Sequence, residues 1–125
     1  MGLEIMERAL INSGHLRELQ EIAQEQGLDH FVENMRKSLE RAWEQFLARK
    51  IEASMIAEKC DGLMTDLHQL KNQFSNLGCE EVSDLIEDLH QCLRIQDFEK
   101  YVRLQPSLVG KAIETLQLLK QEIPD

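Results

Sequence analysis

The chain has few of the residues that interrupt helices. Its 125 residues include two prolines and six glycines, and apolar residues recur at helical spacing along almost the whole sequence. The sequence carries no strand pattern, no internal repeat and no low-complexity segment. Because a chain of this length builds one hydrophobic core and not two, we expect a single all-α domain over residues 1–125.

Long apolar runs are also missing. No stretch approaches the roughly 20 apolar residues that a membrane span needs. The first residues, Met1 to Glu7, carry acidic side chains where a secretory signal would be basic. We therefore expect a protein of the cytoplasm with no membrane segment, and the start at Met1 favours a stand-alone protein.

Positive charge is scarce. Lys and Arg number 14 against 23 Asp and Glu, a formal net charge of −9. Nucleic-acid binding depends mainly on neutralising phosphates, and no local basic run compensates for this balance, so no nucleic-acid partner is predicted. The sequence also contains no glycine-rich phosphate loop and no kinase motif, so no nucleotide site is predicted.

Cysteine and histidine do not form a metal-binding pattern. The three cysteines, Cys60, Cys79 and Cys92, are an odd number without CxxC or zinc-type spacing. We interpret them as reduced thiols that pack as small apolar side chains. No two of the four histidines have the i,i+4 spacing of a helical metal site, so no metal ligand is predicted.

Apolar stripes and turn residues divide the chain into helices. No proline or glycine marks the boundary after Leu47, but one continuous helix from Asp29 to Leu77 would be about 70 Å long, too long for a domain of this size. We therefore place a turn between Ala48 and Ala53, with Asp61-Gly62 as the rival boundary. The predicted helices are Met1–Ile11, His15–Gln26, one from an Asp29 cap to Leu47, one over about residues 53–77, one opening at Cys79-Glu80, and a last one capped by Asp97 with a kink or short break at Gln105-Pro106.

These helices predict an antiparallel four-helix bundle with an additional short N-terminal helix. Each helix has one apolar stripe that it must bury against the others. Trp43 and Phe46 fall on the stripe of their helix, and we expect both in the core.

The stretch from Leu67 to Gly78, LHQLKNQFSNLG, contains the most informative side chains. At about 100° per residue, His68 lies roughly 140° from the apolar stripe of its helix and Lys71 about 80°. A neutral imidazole is nucleophilic near neutral pH, and a lysine at i+3 can reach an anion carried on the ring. An exposed histidine beside a lysine is also common on an ordinary solvated helix face.

This stretch resembles the active helix of the histidine-containing phosphotransfer (HPt) family, which carries His-x-Leu-Lys-Gly, then five residues, then Gly. His68, Leu70, Lys71, Leu77 and Gly78 match, and Asn72 replaces the first glycine. The resemblance extends along most of the chain, since a long helix precedes this one and two helices follow it.

The resemblance implies a phosphorelay signal-transduction protein. His68 would accept a phosphoryl group from the aspartate of a response-regulator receiver domain and pass it to another receiver, with Lys71 stabilising the phosphoryl oxygens. The protein would be a monomeric carrier without an ATP site, not an enzyme. Its partners would be receiver domains and a hybrid sensor histidine kinase. It would need no cofactor, because Mg²⁺ belongs to the receiver.

Other residues around His68 fit a binding role by position. In the HPt family, polar side chains of the helix after the glycine point toward the phosphoryl group. His90 and Arg94 occupy the corresponding positions here. His90 is unusual there, since Gln or a carboxylate is commoner, and Arg94 could instead pair with Glu87 or Glu99. On the histidine helix itself, the predicted binding residues are Met64, Thr65, Asn72 and Ser75.

Asn72 is the departure that opens a second hypothesis. Glycine at this place leaves the imidazole open to a partner, whereas asparagine adds a side chain one turn beyond it. Asparagine there could slow transfer, select a partner or hydrogen-bond the phosphoryl group itself. The chain could also be a degenerate HPt-like module that docks receivers or kinases without being phosphorylated. A third hypothesis, a general helical adaptor unrelated to phosphotransfer, depends on composition alone.

Overall fold

In a computed structural model, described for residues 10–48 and 55–125, the chain is entirely helical apart from turns and short connections. The expectation of an all-α protein is confirmed over these residues. The described helices are α1 (Ser13–Glu25), α2 (Phe31–Ala48), α3 (Ile56–Asn76), α4 (Glu80–Arg94) and α5 (Phe98–Glu122).

Helix ends follow the capping residues of the sequence. The Asn12 side chain accepts a hydrogen bond from the backbone N–H of His15, and the Asp97 side chain accepts one from Lys100, so both cap a first turn. Gly27 follows α1 with φ of +72°, the left-handed conformation that glycine adopts without strain. Asp29 was expected to cap α2, but it lies in a turn and the helix begins at Phe31.

Gly78 separates α3 from α4 and is required for two reasons. Its φ is +80°, and a Cβ at this position would lie 3.2 Å from the backbone oxygen of Asn12 and from the ring of His15. The Asn12 N–H donates to the Gly78 carbonyl at 2.9 Å, and His15 Nε2 is 3.0 Å from the carbonyl oxygen of Asn76. The start of α1 is therefore attached to the end of α3.

Two boundary predictions fall partly outside the described residues. The long helix reaches Ala48, the last residue described before residues 49–54, and the histidine helix begins at Ile56 where about residue 53 was predicted. The turn placed between Ala48 and Ala53 lies largely in residues 49–54, outside the description. The predicted short helix Met1–Ile11 lies mainly in residues 1–9, also outside it, while Leu10 and Ile11 form a bend.

The predicted break at Gln105-Pro106 is wrong, because α5 continues through Pro106 to Glu122. Proline removes the hydrogen bond to the carbonyl four residues earlier, here that of Val102. Val102 and Pro106 are both exposed, so this carbonyl lies on the side of the helix where water can reach it. The lost bond is therefore tolerated.

The core is formed by the helix stripes. α3 packs most extensively on α4 and α4 on α5, while α2 packs on α3 and more lightly on α1 and α5. Trp43 and Phe46 are buried, as predicted; their rings stack at 5.6 Å, and Trp43 meets Phe74 of α3 edge-on at 6.4 Å. These aromatic contacts join α2 to the helix that carries His68.

Some apolar residues that follow the helical spacing of the stripes are solvent-exposed. Phe31 is 44 % exposed and Ile113 43 %, and Ile22 and Val102 are exposed as well. They lie at the edges of stripes whose central residues are buried, so a stripe read from the sequence is wider than the face that the neighbouring helices cover.

One charged side chain, that of Arg36, is buried among the apolar residues of the α2 stripe. Arg36 of α2 is 1 % exposed and pairs with the carboxylates of Glu40 and Asp125. A buried guanidinium needs such partners, because desolvating an unpaired charge is costly. Among the described helices, none is long and apolar enough to cross a membrane.

Candidate functional site

α3 buries one stripe and presents His68 on its exposed side. Most of the stripe is buried against the neighbouring helices, and His68 is exposed. A buried structural histidine would lie on the stripe, and this one does not. The buried residues of the stripe are Ile56, Leu63, Leu67, Leu70, Phe74 and Leu77.

His68 lies in an open depression between α3 and α4. The two helices contact each other extensively, so the side chains of α4 that face α3 lie beside the imidazole. The ring of His90 on α4 is 6.4 Å from that of His68, centre to centre. The depression thus brings together most of the predicted site. Its lining residues are Asp61, Met64, Thr65, His68, His90 and Arg94.

Asn72 contacts His68 directly. Its amide nitrogen Nδ2 is 3.4 Å from Nε2 of the His68 ring, one helical turn earlier. Asn72 is exposed, so this contact lies on the solvent side of α3. Ser75, also predicted as a binding residue, is exposed farther along the helix and does not line the depression.

Lys71 is already paired. Its Nζ is 2.8 Å from Oε2 of Glu87 on α4, and both side chains are partly exposed. The hydrogen bond from Lys71, aided by the charges of Lys71, His90 and Arg94, lowers the pKa of Glu87 against an opposing desolvation effect. An anion on His68 would therefore compete with Glu87 for this lysine.

His90 and Arg94 differ in their surroundings. His90 is half-buried, and its Nδ1 is buried with no hydrogen-bond partner in the described part of the chain. Arg94 is exposed, and among residues 10–48 and 55–125 no carboxylate lies within 4.0 Å of its guanidinium. The expected alternative partners, Glu87 and Glu99, are not paired with it. The guanidinium is thus available to an anion entering the depression.

The chemistry of this site is that of a nucleophile with cationic neighbours. The exposed imidazole can attack an electrophile, and Arg94 can bind its oxygens. The depression also contains the carboxylate of Asp61. In the described residues, no group of three or more His, Cys, Asp or Glu side chains could hold a metal ion. The cysteines are free, and burial raises the pKa of Cys79 to about 12, so this thiol stays protonated.

Two residues of this surface were missed by the sequence reasoning. Asp61 lies seven residues before His68, which puts both on one helix face, and this spacing could have identified it. Glu87 was considered only as a partner for Arg94. It instead pairs with Lys71, and its position three residues before His90 was the available signal.

Comparison of the chain with protein-family models, with curated proteins and with solved structures finds no match. The HPt resemblance therefore depends on the residue pattern around His68, and the functional reading of this site stays a prediction.

Proposed function

We propose that the chain is a phosphorelay carrier in which His68 accepts a phosphoryl group from the aspartate of one receiver domain and passes it to another. The observation that carries this proposal is the exposed imidazole of His68 in a depression that also contains His90 and Arg94. Within residues 10–48 and 55–125, Arg94 pairs with no carboxylate, so its guanidinium is available to an anion carried on this imidazole.

The proposed transfer is an in-line displacement. The lone pair of one His68 ring nitrogen forms an N–P bond while the P–O bond to the receiver's aspartate breaks. The carboxylate leaves with the electron pair of that bond, and the other ring nitrogen keeps its proton. Arg94 and, once it leaves Glu87, Lys71 offset charge on the equatorial oxygens.

The wider assignment belongs to the same proposal. α2 to α5 would form the antiparallel four-helix bundle of the HPt family, as a monomer in the cytoplasm. The partners would be receiver domains and a hybrid sensor histidine kinase, with Mg²⁺ supplied by the receiver. The carrier would turn over no substrate of its own and use no ATP.

Transfer from purified phosphorylated receiver domains tests the proposal. Acid-labile label should appear on the wild-type chain and be absent from His68→Gln. His90→Gln should retain label, because His90 is half-buried and beside the nucleophile. Label that persists in His68→Gln would assign the chemistry to another residue.

A degenerate docking module is the second candidate, and the contact between Asn72 and Nε2 of His68 favours it. Such a module would bind receivers through the same depression and never carry phosphate. Wild-type chain that binds a phosphorylated receiver without taking up label, while Asn72→Gly takes it up, would support this candidate over the carrier.

A further inference from the structure

The contact between Asn72 and His68 has chemical consequences for the ring. An amide nitrogen only donates hydrogen bonds, so at 3.4 Å the Nε2 atom of His68 is the acceptor and carries a lone pair. In the neutral imidazole the proton then resides on Nδ1, since the bond made by one ring nitrogen decides the state of the other. As a hydrogen bond, this contact is compatible only with the tautomer that carries its proton on Nδ1.

The same contact lies where a phosphoryl group must arrive. The lone pair that accepts from Asn72 is the pair that would form the N–P bond, so the amide must rotate aside during transfer. Asn72 is exposed and therefore has room to do so. Because Asn72 lies one helical turn after His68, its N–H groups stay close to a phosphoryl group on the ring after this rotation. Phosphoryl oxygens are strong hydrogen-bond acceptors.

We propose that Asn72 is a positioning residue for phosphoryl transfer. It holds His68 with the proton on Nδ1 and the lone pair on Nε2, and after transfer its amide donates to a phosphoryl oxygen. The inference rests on the proposed function of His68 and adds a property to it. With asparagine at position 72, the carrier accepts the phosphoryl group at Nε2 and retains it longer than it would without this hydrogen bond.

Nitrogen-15 NMR of the His68 ring, at a pH where it is neutral, tests the first half without any partner. Wild type should carry its proton on Nδ1. Asn72→Asp keeps the shape of the side chain but can only accept, so the proton should move to Nε2. Asn72→Leu, similar in size and without polar atoms, should lose the preference for Nδ1. An exposed amide on the same helix, changed in Gln69→Leu, serves as the matched control and should leave the wild-type tautomer.

The lifetime of phosphohistidine tests the second half. Phosphoramidate, a small phosphoryl donor, labels histidine without a receiver, and hydrolysis of the label can then be followed by phosphorus-31 NMR. Loss of one hydrogen bond in Asn72→Leu should shorten the half-life roughly 2- to 12-fold, whereas Gln69→Leu should not. Because leucine shields the ring from water about as asparagine does, a difference between the two reports the hydrogen bond.

The outcomes separate this inference from the proposed function. Equal tautomer populations in wild type, Asn72→Leu and Asn72→Asp would overturn the positioning role, and equal lifetimes would overturn the retention role. Normal transfer from receivers together with either result would leave the carrier function intact. Conversely, Asn72-dependent tautomer and lifetime in a chain that no receiver labels would show that Asn72 controls the ring, but would refute the carrier and with it a positioning role in transfer.

Discussion

Trp43→Ala should remove a large share of the chain's stability. Trp43 is 3 % exposed, stacks on Phe46 and meets Phe74 edge-on, so truncation opens a cavity between α2 and α3. A buried aromatic of this size covers about 200 Å², which corresponds to about 5 kcal/mol at 25 cal/mol per Å², and measured truncations of Phe or Trp cost about 3–5 kcal/mol. We expect a loss of about 4 kcal/mol, a large part of the 5–15 kcal/mol typical of a domain.

Urea denaturation followed by far-ultraviolet circular dichroism measures this loss. Fluorescence is unsuitable, because Trp43 is the single tryptophan of the chain. Glu44→Ala, at the exposed neighbouring position, is the control and should stay within about 0.5 kcal/mol of wild type. A loss below about 1 kcal/mol for Trp43→Ala, with an unchanged urea dependence, would refute the reasoning that this ring joins α2 to α3.

Other perturbations give smaller or more specific effects. In kinetics of transfer from a receiver, Lys71→Ala should slow transfer about 10- to 100-fold. Glu87→Gln releases the lysine and should accelerate transfer by at most about fivefold. Equal rates in the two variants would contradict the argument that Glu87 holds Lys71. Met64→Asp should weaken receiver binding by calorimetry, and unchanged affinity would place the docking face elsewhere. Burial raises the pKa values of Cys79 and Tyr101 to about 12 from 9.0 and 10.0, so the folded state keeps protons that the unfolded state loses. Stability in urea should therefore fall as pH rises from about 9 to about 12, and Cys79→Ala or Tyr101→Phe should flatten that fall.

Much of the helical architecture could be predicted because its causes are local. The buried stripe of α3 repeats at helical spacing, and the cap at Asp97 acts within three residues. The exposure of His68 followed from the same periodicity. Such features need no knowledge of which helices are neighbours.

Features that depend on distant residues could not be predicted in this way. Arg36 occupies a place on the buried stripe of α2, but one of its partners, Asp125, lies 89 positions away. Lys71 was predicted to stabilise the phosphoryl oxygens, and its pairing with Glu87 depends on how α4 packs against α3. The continuity of α5 likewise depends on which way the Val102 carbonyl faces, which a proline in the sequence does not reveal.

The two requirements on Gly78 divide the HPt-like pattern into parts with different meanings. Its positive φ and its close approach to Asn12 and His15 are demands of packing, and they would act equally on a chain that never carried phosphate. A chain without phosphotransfer would need this glycine equally, while the residues at positions 68 and 72 would be free to vary. In any relative of this chain, we therefore expect the glycine wherever the same packing is kept. We expect the pairing of residues at positions 68 and 72 to be kept only if the proposed transfer takes place.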